Sequence, residues 1–126
     1  MHIASWPSGE PALPPTAPES LWSRKELLSR AFASQGACYV IATGGLITPA
    51  DVPERFRSMA YVGAGGSRFI DPRGEVVARA RFGEETVLTF EADLSVVRAA
   101  KSACDIAGHY ARPDVFDLRV NGVPTG

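Results

Sequence analysis

The chain has 126 residues, 45% of them hydrophobic and 21% charged, which is ordinary globular composition with room for one domain and a modest core. A formal net charge of −1 leaves no global basic field to hold nucleic acid or an anionic membrane, and no apolar run approaches the ~18 residues of a membrane span. Cys38 and Cys104 are too far apart in sequence for a disulfide framework or a metal-ligand cluster, and they suit a reduced, cytoplasmic compartment.

In chain order, His2-Ile3-Ala4-Ser5 is a short apolar strand, followed by Trp6-Pro7 and a proline-rich stretch over residues 9–18 that stops any regular element. That stretch reads either as a linker or as a loop at the open end of a strand, where pocket walls gather. A helix is predicted over residues 21–35, with Leu21, Leu28, Ala31, Phe32 and Gln35 recurring at helical spacing, Arg24, Lys25 and Arg30 turned outward, and Gly36 ending it. Residues 37–42 form a continuous apolar run, the pattern of a strand covered on both faces. Together these make a strand-helix-strand unit of the length that a parallel crossover requires. Residues 48–54 are turn-rich and predict one short helical turn leading to Phe56 and Met59.

Residues 63–92 organise the rest. Asp71-Pro72-Arg73-Gly74 supplies what a type I turn asks for, so Phe69-Ile70 and Val76-Val77 are predicted to pair as a hairpin. Val76, Ala78 and Ala80 alternate with Val77, Arg79 and Arg81, and Leu88, Phe90 and Ala92 alternate with Val87, Thr89 and Glu91, which predicts a further strand near Leu88. Asp93 is placed to cap a helix over residues 94–103, and residues 115–120 predict an edge or swapped strand. Helices on a half-covered sheet make a layered α/β domain.

The candidate chemistry is sparse. Cys38, flanked by Ala37, Tyr39, Val40 and Ile41, sits in an apolar strand where burial favours the unreactive thiol, and Cys104 at a helix end reads as inert too. Gly63-Ala64-Gly65-Gly66 lacks the Lys-Ser/Thr and the helix of a phosphate cradle, so its glycines serve backbone conformation or close approach. His109 beside Tyr110 and Arg112 reads as a hydrogen-bonded structural histidine, and Glu84-Glu85 as a solvated turn. The arginines are interleaved with acids and apolar residues, the pattern of solvated strand faces and turns.

Several stretches together resemble the C-terminal part of the carbon–nitrogen hydrolase superfamily, in its nitrilase and cyanide-hydrolysing (cyanide hydratase) branch. They are His2-Ile3-Ala4-Ser5-Trp6-Pro7; Gly36-Ala37-Cys38-Tyr39-Val40, similar to the family's Glu-Gly-x-Cys-Phe-Val strand; the run from Gly65 to Val76; and Gly108-His109-Tyr110-Ala111-Arg112-Pro113-Asp114-Val115-Phe116. The resemblance implies that residues 1–126 are a partial domain, the C-terminal half of a nitrilase-like α-β-β-α sandwich. It also implies a Glu-Lys-Cys centre acting on a small nitrile, without metal or organic cofactor. The family's Gly-x-x-x-Cys-Trp-Glu nucleophile motif, its base and its lysine match nothing here, so no catalytic residue is carried over. Ser5, Trp6 and Pro7 are the residues expected to wall a substrate pocket. Two readings follow: a hydrolase piece inactive alone, which forms homo-oligomers or pairs with a complementing N-terminal half, or a non-catalytic interaction subunit of a nitrilase-like chain.

Overall fold

The computed structural model describes residues 1–6, 18–57, 63–106, 108, 110, 112, 114–115, 119–121 and 123–124. β1 (His2–Trp6) leads to α1 (Pro18–Gln35), which returns the chain to β2 (Val40–Gly44). β2 lies parallel to β1, with Ile3 opposite Ile41 and Ser5 opposite Thr43, so the strand-helix-strand crossover is present. Short β3 (Leu46–Ile47) pairs antiparallel with β4 (Gly63–Ala64), and between them two 3₁₀ turns, Pro49–Asp51 and Glu54–Phe56, stand where one helical turn was predicted. Met59 lies outside the described residues.

β5 (Arg68–Ile70) and β6 (Val76–Arg79) complete a mixed sheet in the order β1-β2-β5-β6, which leaves β1 and β6 at its edges. α2 (Leu94–Ala103) follows, and a two-residue hairpin, β7 (Arg119–Val120) with β8 (Val123–Pro124), stands near the end of the chain. Of the strand predicted over residues 115–120, positions 116–118 lie outside the described residues and only Arg119–Val120 is seen as strand.

The β5–β6 turn forms as its residues dictate. The Gly74 amide donates to the Asp71 carbonyl at 2.9 Å, and the Asp71 amide to the Glu75 carbonyl at 2.9 Å, which is a type I turn closed by a left-handed Gly74 at φ 85°. The Asp71 carboxylate, itself buried, accepts from the amides of Arg73 at 2.9 Å and Glu75 at 3.0 Å. A register shift at Phe69/Ile70 then places Val76 opposite Ile70 but Ala78 opposite Phe69, so the regular alternation predicted for Val76, Ala78 and Ala80 is broken by a bulge at Val77.

Three further expectations are corrected. The inward stripe of α1 is Trp22, Lys25, Ser29 and Ala33, all buried, while Leu28 and Phe32 are about half exposed at 46% and 50%. Small Ser29 and Ala33 let the helix backbone approach the sheet, which leaves Leu27 exposed on the flank toward β6 and Leu28 and Phe32 half exposed on the flank toward β1, where the Phe32 ring lies 4.4 Å from that of His2. Lys25, predicted outward, is buried. Secondly, the end of α1 is set at Ala37: its amide donates to the Ser34 carbonyl, the Cys38 amide donates to the Ala33 carbonyl, and Ala37 itself is left-handed at φ 43°. The helix thus ends at Gln35, directly before Gly36 as predicted, with the left-handed turn falling on Ala37 and not on the glycine.

The third correction concerns the strand predicted near Leu88. Residues 84–93 form no ladder and carry no regular secondary structure, with Val87 89% exposed and Phe90 set between the rings of Tyr39 and Phe69, at 5.9 and 5.8 Å. Alternation there marks strand capacity without a partner strand to use it. Asp93 caps α2 as predicted, accepting from the Ser95 amide at 2.8 Å.

The core is Trp22, Ala33, Val40, Ala42 and Ile70, between α1 and one face of the sheet. The other face, with Ile3, Ser5, Ile41, Thr43 and Phe69, is half-buried to exposed. β2 is therefore fully buried on the α1 face and half-buried on the other, where Phe90 packs on neighbouring Phe69, so the two-sided burial that its apolar run predicts is met in part.

Candidate functional site

Parallel strands place ligand sites beyond their carboxyl ends, and β1 and β2 both end at the same rim, where Trp6 stands opposite Gly44. Gly44 is held close beneath the glycine-rich segment: a Cβ on it would come within 2.5 Å of the Gly65 carbonyl oxygen and 2.6 Å of the Trp22 ring. Trp22 Nε1 donates to that Gly65 carbonyl at 2.8 Å, and the Gly65 amide donates to the Gly45 carbonyl at 3.1 Å. Gly65 and Gly66 are left-handed, at φ 71° and 80°, so these glycines serve backbone conformation and close approach, as their sequence context predicts.

A cavity of about 480 Å³ opens at this rim, walled by Gly44, Thr48, Asp51, Gly66, Ser67 and Glu84 among others. Several of its polar groups already have partners. Asp51 Oδ2 accepts from both the hydroxyl and the amide of Thr48, each at 2.7 Å, and these two bonds hold its carboxyl below the usual carboxylate range. Ser67 Oγ accepts from the Gly44 amide at 3.1 Å, and Glu84 faces Arg81 at 3.7 Å. Such a rim can bind and shape a small polar molecule. Among the described residues it supplies hydrogen-bonding walls.

Ser5 and Trp6 both line a cavity of about 390 Å³ between β1 and α1, with Leu28, Ser29 and Phe32. Ser5 stands opposite Thr43 in the β1–β2 ladder, with its side chain on the same sheet face as that residue, whose hydroxyl donates to the Ala4 carbonyl at 3.3 Å. Trp6 points the other way, and its Nε1 donates to Ser29 Oγ on α1 at 2.9 Å. Pro7 lies outside the described residues, as does His109. Thr43, Gly44 and Ser67 were not singled out as site residues from the sequence; the Gly44-Gly45 pair directly after an apolar run was the available signal.

Neither cysteine sits in a catalytic arrangement. Cys38 is half-buried just past the end of α1 and packs against the core. Cys104 shares a cavity of about 420 Å³ with Lys101 and Asp105, yet no hydrogen bond among the described residues joins it to either, and Asp105 accepts from the Gly108 amide at 3.1 Å. No group of three or more His, Cys, Asp or Glu among the described residues is placed to hold a metal. None of the described helices is long and apolar enough to cross a membrane.

Residues 14–102 match the family model for carbon-nitrogen hydrolases, a span covering most of the chain. The chain belongs to the carbon-nitrogen hydrolase family. Among curated relatives, it is 37% identical over 123 residues to nitrilase 2 from an unknown prokaryotic organism, covering 95% of this chain and 35% of that protein. It is 34% identical over 128 residues to an aliphatic nitrilase of Rhodococcus rhodochrous, covering 96% of this chain and 34% of that one. The chain thus spans about a third of the length of these relatives. The crystal structure of a carbon-nitrogen hydrolase from Helicobacter pylori G27 superposes with a TM-score of 0.60 at 22% identity, over 89% of this chain and 38% of that one, which shows a shared fold.

Proposed function

We infer that this carbon-nitrogen hydrolase chain is the C-terminal part of a nitrilase-type enzyme, one half of an α-β-β-α sandwich, and that it is inactive alone. In the parent reaction a cysteine thiolate adds to the nitrile carbon while the nitrile nitrogen gains a proton, giving a thioimidate. One water then adds as ammonia leaves, and a second releases the carboxylic acid and restores the thiol. The substrate is a small nitrile, with cyanide as the variant of the cyanide-hydrolysing branch. In this chain Ser5 would line the pocket from the open sheet face, with Trp6 and Pro7 shaping the loop that leaves the rim.

The observation that carries the reading is an incomplete layer structure in a family member. One sheet face is covered by α1, the other is left partly open, and α1 itself presents Leu27, Leu28 and Phe32 outward. Positioned nucleophile and acid–base groups contribute orders of magnitude each, and binding walls do not replace them. The same open surfaces suit the second reading, an interaction subunit that pairs with a nitrilase-like chain without contributing chemistry.

The test is ammonia release from aliphatic and aromatic nitriles, and conversion of cyanide to formamide or to formate and ammonia, by the purified chain and by the chain co-expressed with an N-terminal nitrilase half carrying the Glu, Lys and Cys. No turnover alone and turnover on complementation are expected. Turnover by the isolated chain that Cys38→Ala or Cys104→Ala abolishes would overturn the reading. Binding to the other half without restored turnover favours the interaction subunit.

A further inference from the structure

On the α1 side of the β5–β6 hairpin lies a cavity of about 460 Å³ lined by Ser23, Glu26, Leu27, Arg30, Arg68 and Arg79. Three guanidiniums thus face one lining carboxylate. Arg68 is 2% exposed, stacked on the Trp22 ring with its guanidinium carbon 4.2 Å from the centroid, and in ion-pair contact with Glu26. Its Nε is buried and finds no hydrogen-bond acceptor among the described residues. A buried, incompletely satisfied cation is costly, and an additional anion at the site offsets that cost. The other two arginines keep donors in hand. Arg79 Nη2 meets the same Glu26 oxygen at 3.4 Å, and Arg30 uses its Nε on the Gly74 carbonyl and its Nη2 on Glu75 at 3.5 Å.

The geometry points to a binding site for a small organic carboxylate between α1 and β6, with the planar carboxylate held by the forks of Arg79 and Arg30, its charge offsetting that of Arg68, and its apolar tail against Leu27. Guanidinium forks hold a carboxylate, like a phosphate, in two parallel hydrogen bonds, and the Leu27 wall is what favours an anion carrying a hydrocarbon tail over inorganic phosphate. The cavity is separate from the rim beyond β1 and β2, sharing none of its lining residues. The inference does not rest on the hydrolase reading, because its readout is binding.

Trp22, stacked on Arg68, reports occupancy. With Trp6→Phe removing the other of the two tryptophans, the full chain is titrated with sodium butyrate, with neutral butyramide and with inorganic phosphate while Trp22 fluorescence is followed. Butyrate is expected to give a saturable change and to raise the melting temperature, butyramide to give neither, and phosphate to bind more weakly. Arg79→Gln, at a half-exposed position, should weaken butyrate binding about tenfold, the effect of losing one charge-assisted hydrogen bond. Arg30→Gln is the second variant, should Arg79→Gln disturb the far-ultraviolet circular dichroism. No saturable response to butyrate, an equal response to butyramide, tighter binding of phosphate, or butyrate binding unchanged in both folded variants overturns the site.

Discussion

The indole N–H of Trp22 on α1 donates to the backbone carbonyl of Gly65 at 2.8 Å, a buried bond that ties the helix to the glycine-rich segment closing the rim of the parallel strands. Trp22→Phe keeps an aromatic ring in the core and leaves that carbonyl without its donor, so a loss of about 1–3 kcal/mol is expected from the unmet hydrogen bond. Urea unfolding followed by circular dichroism measures it. Unchanged stability would mean that water serves Gly65 as well as Trp22 does.

Two left-handed glycines separate conformational strain from steric collision. At Gly83, φ 76°, an added Cβ meets nothing within 4 Å, so Gly83→Ala should cost only the left-handed penalty of about 1–2 kcal/mol. At Gly66, φ 80°, the Cβ collides with the Phe82 ring and also reaches 3.0 Å from Trp22 Nε1. Gly66→Ala should therefore be clearly the more destabilising, with loss of the Trp22–Gly65 contact visible in tryptophan fluorescence. Equal costs at the two positions would show that Phe82 swings aside freely.

Asp71 ties stability to pH through the β5–β6 turn. Burial pushes its carboxyl up, but the amides of Glu75 and Arg73 and the Arg73 guanidinium, at 2.7–2.8 Å, outweigh burial and hold it below the usual range. A carboxyl lowered on folding contributes stability that is present above its unfolded value of about 3.9 and lost as pH falls through the folded value. Stability should thus hold from neutral pH to about 4 and decline below it. Asp71→Asn should be about 1–2 kcal/mol less stable at neutral pH, with a shallower acid limb. Denaturant midpoints across the acid range give both numbers, and parallel acid limbs in the two proteins would remove Asp71 from the account.

Local chemistry in this chain was legible where neighbours in sequence complete it. The Asp71-Pro72-Arg73-Gly74 turn, the Asp93 cap and the β1–α1–β2 crossover depend on residues that sit together or on spacing alone. The face of α1 was not legible, because hydropathy favours Leu28 and Phe32 whereas close packing on the sheet selects small Ser29 and Ala33, and Glu26 turns inward toward Arg68 and Arg79, which lie far along the chain. Likewise the rim at Gly44 and Gly65 arises from two segments crossing at contact distance, which neither stretch reveals alone.

The segment over residues 84–93 carries strand alternation but no ladder. If the chain pairs with a complementing half, this segment should convert to strand. Hydrogen exchange of the amides of Val87, Leu88, Thr89 and Phe90 is expected to be fast in the isolated chain and protected on complementation. Protection already present in the isolated chain would show a partner strand within the chain itself.

The open surfaces predict association. β1 is an edge strand whose Ile3 is 63% exposed, and α1 adds Leu27 at 67%. An exposed strand edge is a template for pairing, and exposed apolar side chains such as these favour assembly over a free monomer. Light scattering on the purified chain at tens of micromolar is expected to show species larger than a monomer. Ile3→Lys places a charge on the edge strand, where charge blunts edge-to-edge pairing, and should shift the population toward monomer without unfolding the sheet, since Ile3 lies outside the Trp22–Ile70 core. A monodisperse, cooperatively unfolding monomer in the unmodified chain would show that the domain closes its own surface and would count against a missing half.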